Sequence, residues 1–476
     1  MSDSRSRPSN PGSESADARS DDTRGDRGGV DEGAPLPPGP AGLPVAGNVL
    51  QIVSDPLGYV DRLRSYGDVV HYQIFGRKFT ALLHPDHVER VLVGEPERFE
   101  QYAFEELNVD FAPEGLLMSE GEQWRRQREL IQPAFSPARI AAFADAIVDR
   151  TATAADGWAD GQTVAVDRAF SELTLEILTT TLFDLELAER RETVADAASA
   201  INDLSDGRSV SAFLPGWIPT PRNVRCKRRL RRFDALVADL IAERRADTGG
   251  ADDLLSTLLE AADEAEPDQG LSDEELRDQL VTFLFAGHET TSLALTYACW
   301  SLAHNPDVRE RLEAELEDIC GDREPTMADV SDLTDTEQVI EETLRLYPPA
   351  FMIVRKTRED VVFDGYRVPE GTSITLPQYA LHRDERFWDR PDEFRPDRFA
   401  EGNGGDDRPA YAYFPFGGGP RHCVGMRFAM LELKLVLATL LRRVRFDAAG
   451  DADLELRPTT TLSPDDDITL TVRRRH

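Results

Sequence analysis

The sequence predicts a mostly α-helical single domain with a minor β region. Three observations predict it. Ser272 to Asn305 reads as one long helix, apolar almost all round from Leu280 onward. Phe428 to Leu441 is a second apolar helical run. After Val354 the chain changes to short strands and turns rich in Pro and Gly, and Asp68 to Leu83 alternates apolar and polar residues around Gly76-Arg77, as a hairpin does. There is no internal repeat or long linker, so one large folded domain is expected despite a length of 476 residues.

In chain order, residues 1–34 are mainly Ser, Asp, Arg and Gly, and are expected to be a disordered acidic tail. The folded domain is expected to span 35–476. It begins with the proline-rich run Pro35 to Pro44, a rigid lead-in or a simple linker. Ser119-x-x-Glu122 reads as the cap of a helix carrying Trp124 and Arg128 on one face. Ser272-x-x-Glu275 caps the long helix, and Pro306 stops it. At about 30 residues that helix is about 45 Å long, enough to cross the molecule. His288, Glu289, Thr290 and Thr291 in its middle are unsuited to a membrane span, so it reads as a core helix.

Net charge is −34, and only Lys78, Lys227, Lys356 and Lys434 among the 54 basic residues are lysine. Such acidity argues against nucleic acid and against charge-driven docking on anionic membrane. Asp and Glu in excess, with Arg kept and Lys rare, resembles proteins of extreme halophiles. Seven basic residues between Arg222 and Arg232 form a local exception, either a solvated face or part of a substrate entrance. Cys226, Cys299, Cys320 and Cys423 show no paired spacing, which fits a reducing cytoplasm with neither disulfides nor a zinc site. No signal peptide or membrane anchor is expected.

The most informative stretch is Phe414-Pro-Phe-Gly-Gly-Gly-Pro-Arg-His-Cys-Val-Gly425. Its glycines permit close approach of a flat ligand, and Pro420 stiffens it. A cysteine just ahead of a helix start, with an arginine two residues before it, is placed to be a thiolate. In the long helix, Gly287 costs about 1 kcal/mol relative to Ala, and close approach of a flat ligand would offset that. Glu289 next to Thr290 is suited to proton relay, or the threonine bonds its own backbone.

The pattern Phe416-Gly417-x-Gly419-x-Arg421-x-Cys423-x-Gly425 resembles the haem-binding loop of the cytochrome P-450 family. Ala286-Gly-His-Glu-Thr-Thr291 resembles that family's distal helix motif, and Glu342-x-x-Arg345 with Arg398 resembles its Glu-x-x-Arg cluster. The resemblance implies a haem b cofactor with Cys423 as the metal ligand and Phe416 in the loop against it. It implies that Trp124, Arg128, Arg355 and Arg421 bind haem propionates; His382 is a weaker candidate, or lies in a surface turn. Thr290 and Glu289 are implied to be catalytic, delivering protons to dioxygen. Glu342, Arg345 and Arg398 are implied to hold the site from behind.

The implied activity is a monooxygenase acting with O2 on a small apolar substrate. The alternatives are a peroxide-dependent peroxygenase or a non-catalytic haem sensor. No flavin, nicotinamide or iron–sulfur signature is present, so electrons are expected from a separate ferredoxin-type donor. Arg125, Arg126, Arg427 and Lys434 are its expected contacts. Candidate pocket residues are Phe104 to Met118, Leu204 to Trp217, Phe283, Ala286 and Ala350 to Ile353.

Overall fold

The computed structural model describes residues 33–102, 112–185, 187, 190–213, 221–246, 253–263, 270–400, 402, 408–450 and 454–475. The expected tail, apart from residues 33 and 34, lies outside them, as do candidate pocket residues 104–111 and 214–217. The chain forms one mostly helical domain built around the helix Asp273–His304, with a five-stranded sheet to one side.

The central helix starts as its sequence requires. Ser272 Oγ accepts from the Glu275 N–H at 3.1 Å, and a Glu275 carboxyl oxygen accepts from the Ser272 N–H at 2.8 Å. That capping box satisfies two of the orphan donors at the helix start. Almost every residue from Glu275 to Leu302 is buried. Its closest neighbour is the helix Val166–Phe183, and a Cβ on Gly287 would lie 2.9 Å from Leu178 of that helix. The glycine therefore admits the Leu178 side chain at this helix–helix contact. Nearby, Thr174 Oγ1 donates to the His288 carbonyl at 3.0 Å and locks the two helices in register.

The sheet runs Val69–Ile74, Arg77–Leu82, Ser373–Leu376, Ile353–Thr357, Phe99–Gln101. The first two strands form the expected hairpin, pairing Val69 with Leu82 and Ile74 with Arg77. Its turn falls at Phe75-Gly76, one residue before the expected Gly76-Arg77, because these two carry the positive φ values, 45° and 79°, that a two-residue hairpin turn demands.

The helix Gly121–Ile131 carries Trp124 and Arg128, but not through the expected cap. Its N-cap is Glu120, without a side-chain capping bond. Ser119 Oγ instead donates to Gln127 Oε1 at 2.7 Å. Gln127 also bonds Glu275, so this helix is tied to the start of the central one.

Candidate active site

The loop ahead of the helix Met426–Arg443 is closed on itself by the Cys423 N–H, which donates to the Phe416 carbonyl at 2.9 Å. Gly419, at φ 64°, lies so close to the Leu92 carbonyl that a Cβ there would be 1.8 Å from its oxygen. The glycine thus seats the loop on the turn Arg90–Gly94; its bare face meets protein, not ligand. Cys423 is exposed although protein surrounds it, so it lies on a concave interior surface. Burial pushes its thiol pKa up, while the N–H groups of Gly425 and Met426 and the Arg128 guanidinium favour the thiolate.

Arginines gather beside the loop. The Arg421 guanidinium stacks 4.7 Å from the Trp124 ring centroid and donates to the Ser119 carbonyl at 2.6 Å. Arg355 donates to the Val354 carbonyl at 2.8 Å and forms no ion pair among the described residues. Burial and the neighbouring Arg421 push its pKa down to about 10; Glu120 opposes this. Two adjacent, largely desolvated cations call for an anion. Arg128 is placed differently: it donates to the His422 carbonyl at 3.0 Å and reaches that residue's ring at 3.3 Å, so it braces the loop next to Cys423.

The central helix supplies the other wall. Within an otherwise buried stretch, Ala286, Gly287 and Thr290 are half-exposed. Phe135 links the two walls: its ring stacks 5.8 Å from that of Phe283, and a Cβ on Gly425 would lie 3.7 Å from it. Thr290 Oγ1 donates to the Ala286 carbonyl at 2.9 Å, the local bonding that the sequence left open. Glu289 is buried and turned elsewhere. Its Oε1 accepts from Asn202 Nδ2 and, at 2.8 Å, from Thr461 Oγ1. Burial raises its pKa, and those two donors oppose the rise.

Behind the loop, the carboxylate of Glu342 is held by Arg345 Nε and Nη2 at 2.7 and 2.8 Å and by Arg398 Nε at 3.0 Å. This is the expected buried cluster. His382 is neither a propionate donor nor part of a surface turn. It is fully buried, and its Nε2 accepts from the Phe414 N–H at 3.0 Å, which anchors the start of the loop. Burial, with Arg345 and Arg383 nearby, pushes its pKa down to about 3, so it is neutral. Two of the expected donor contacts are also tied up inside the protein. Lys434 is buried between the Val330 carbonyl and Glu337, and Arg126 pairs with Glu275. Arg125 pairs with Glu122, and Arg427 is exposed. Asn202 and Thr461 were missed: they reach Glu289 from 87 and 172 residues away, and only the triplet Thr459-Thr-Thr461 hints at a polar cluster.

Residues 37–472 match the sequence model of the Cytochrome P450 family. The chain belongs to that family. It is 33% identical to cyclooctatin synthase of Streptomyces melanosporofaciens, over 89% of this chain and 93% of the relative. It is 34% identical to cyclooctat-9-en-7-ol 5-monooxygenase of the same organism, over 85% and 88%. It is 32% identical to pentalenene oxygenase of Streptomyces avermitilis, over 87% and 92%. The protein is therefore an oxygen-incorporating oxidoreductase whose cofactor is haem b, held through a cysteine thiolate. The cation pair and the enclosed cysteine fit that group: haem carries carboxylates for arginine and an iron for sulfur. Among the described residues no helix is long and apolar enough to cross a membrane.

Proposed function

We propose that the chain is a monooxygenase that places one atom of O2 in an apolar organic substrate, drawing electrons from a separate ferredoxin-type protein. One observation carries the reading: an enclosed cysteine and a central helix with Thr290 half-exposed sit on linked walls beside two arginines that need anions. Haem, when bound, supplies the oxygen chemistry.

The protein's own groups do the rest. Cys423 Sγ is the iron ligand; the Gly425 and Met426 N–H groups and Arg128 favour its anion against the cost of burial. Arg355 and Arg421 take the propionates, with Trp124 stacked against Arg421 to fix its plane. Phe416 closes the loop through its carbonyl. Glu289, whose burial favours the protonated carboxyl, donates protons, and Thr290 Oγ1 passes them on after leaving the Ala286 carbonyl.

An apolar substrate is supported by Phe283, Ala286, Met352 and Ile353, and by relatives named for cyclooctat-9-en-7-ol and pentalenene. A reducing cytoplasm is supported by four free cysteines, and a high-salt one by the net charge of −34. The test is turnover with isotopically labelled O2, a ferredoxin and its reductase. One labelled atom is expected in product and one in water. Product formed with peroxide but not with O2 and ferredoxin would overturn the reading.

A further inference from the structure

Glu289 does not stand alone. Its Oε1 receives Asn202 Nδ2 from the helix Arg191–Ser205 and Thr461 Oγ1 from the turn between the strands Leu456–Pro458 and Leu462–Pro464. Thr459 Oγ1 lies 3.2 Å from Asn202 Oδ1 and 2.8 Å from the Thr461 carbonyl, with one proton to share between them. The Thr461 hydroxyl donates to Glu289 and lies 3.1 Å from Ser463 Oγ, from which it can accept. Glu289 Oε2 is buried and has no partner among the described residues. The two oxygens are thus unequal: Oε1 takes both donors, and a proton on the carboxyl belongs on Oε2.

Both donors are held by packed elements. The strand pair is pinned to the central helix, because Tyr297 OH donates to the Leu462 carbonyl at 2.6 Å. The Leu462 N–H in turn donates to the Pro349 carbonyl at 2.9 Å. The helix Arg191–Ser205 meets the strand pair over its last turn, where Asn202 lies against Thr459, Asp203 pairs with Arg457 at 4.0 Å and Thr460 Oγ1 donates to Ser205 Oγ. The polar groups facing Glu289 from both elements are neutral, namely Asn202, Thr459, Thr461 and Ser463. On its own helix, Tyr297 is the titratable neighbour.

We infer that Asn202 and Thr461 are positioning residues that set the resting orientation and the proton affinity of Glu289. Each donor stabilises the anion against the cost of burial. Losing either donor leaves Glu289 binding its proton more tightly. The inference rests on the oxygen-insertion reading only for the use made of the proton.

The experiment is a carboxyl infrared titration of the haem-loaded resting protein, with Glu289→Gln identifying the Glu289 band. It involves no turnover, so it can fail or succeed independently of the monooxygenase reading. Asn202→Leu and Thr461→Val are each expected to raise proton affinity at Glu289 about tenfold, the effect of losing one hydrogen bond to a charged group. Thr461→Ser, which keeps the hydroxyl, is expected to restore the wild-type midpoint. Thr461→Val is close to isosteric, so it tests the inference even if Asn202→Leu does not fold. A midpoint unchanged in Thr461→Val, or equally displaced in Thr461→Ser, would overturn it.

Discussion

Arg345 grips Glu342 with two parallel hydrogen bonds, Nε to Oε2 at 2.7 Å and Nη2 to Oε1 at 2.8 Å, and neither side chain is exposed. Arg345 also donates to the carbonyls of His382 and Pro391. The pair therefore fixes the segment whose His382 receives the Phe414 N–H at the start of the cysteine loop. Removing the acid strands two buried guanidiniums, Arg345 and Arg398. Glu342→Ala is expected to lose about 3–5 kcal/mol of stability and to yield little haem-loaded protein. Denaturant unfolding checks this; a stable holoprotein would show the cluster to be dispensable.

The same segment predicts a pH effect. His382 is held neutral with its pKa pushed down to about 3, whereas an unfolded histidine protonates near 6.5. Below about 6.5 the unfolded chain takes up a proton that the folded one refuses, so stability falls as the pH drops. His288, pushed down to about 4 by burial, acts in the same direction. Relative to wild type, His382→Gln is expected to lose less stability between pH 6.5 and 4, by up to about 1.4 kcal/mol per pH unit. Unfolding free energies across that range give the difference directly.

Among the described residues Arg355 pairs with no carboxylate, and Arg421 beside it makes the lack more costly. Arg355→Ala is expected to leave the fold intact and to speed haem loss about 10- to 100-fold, the effect of losing one charge-assisted bond. Transfer of haem to an apo-globin acceptor measures the rate. An unchanged rate would remove Arg355 from the propionate site.

Thr290→Ala removes the hydroxyl that bonds the Ala286 carbonyl and leaves the Cys423 loop untouched. Haem binding is expected to stay intact, while product formed per electron pair falls about tenfold and peroxide rises in its place. Unchanged coupling would reject the relay role.

How much of this was legible in sequence follows from how local each signal is. The cysteine loop, the capping box and the Glu342–Arg345 pair each lie within a dozen residues, and their spacing carries their geometry. His382 and Lys434 were misplaced for a different reason. Both are polar residues that the fold buries, His382 by the Phe414 N–H and Lys434 by Glu337 and a carbonyl 104 residues away. Nothing in their own neighbourhoods announces those partners. The glycines mislead in a third way. Gly287 and Gly419 are required as expected, but what they admit is Leu178 and the Leu92 carbonyl, and only packing identifies that.

The central claim is that Cys423 supplies the thiolate to haem iron. The direct measurement is the carbon monoxide difference spectrum of the reduced protein, for wild type and for Cys423→Ser. Wild type is expected to show the long-wavelength band of thiolate-ligated haem, and Cys423→Ser to lose it. A thiolate band that persists in Cys423→Ser would contradict the account.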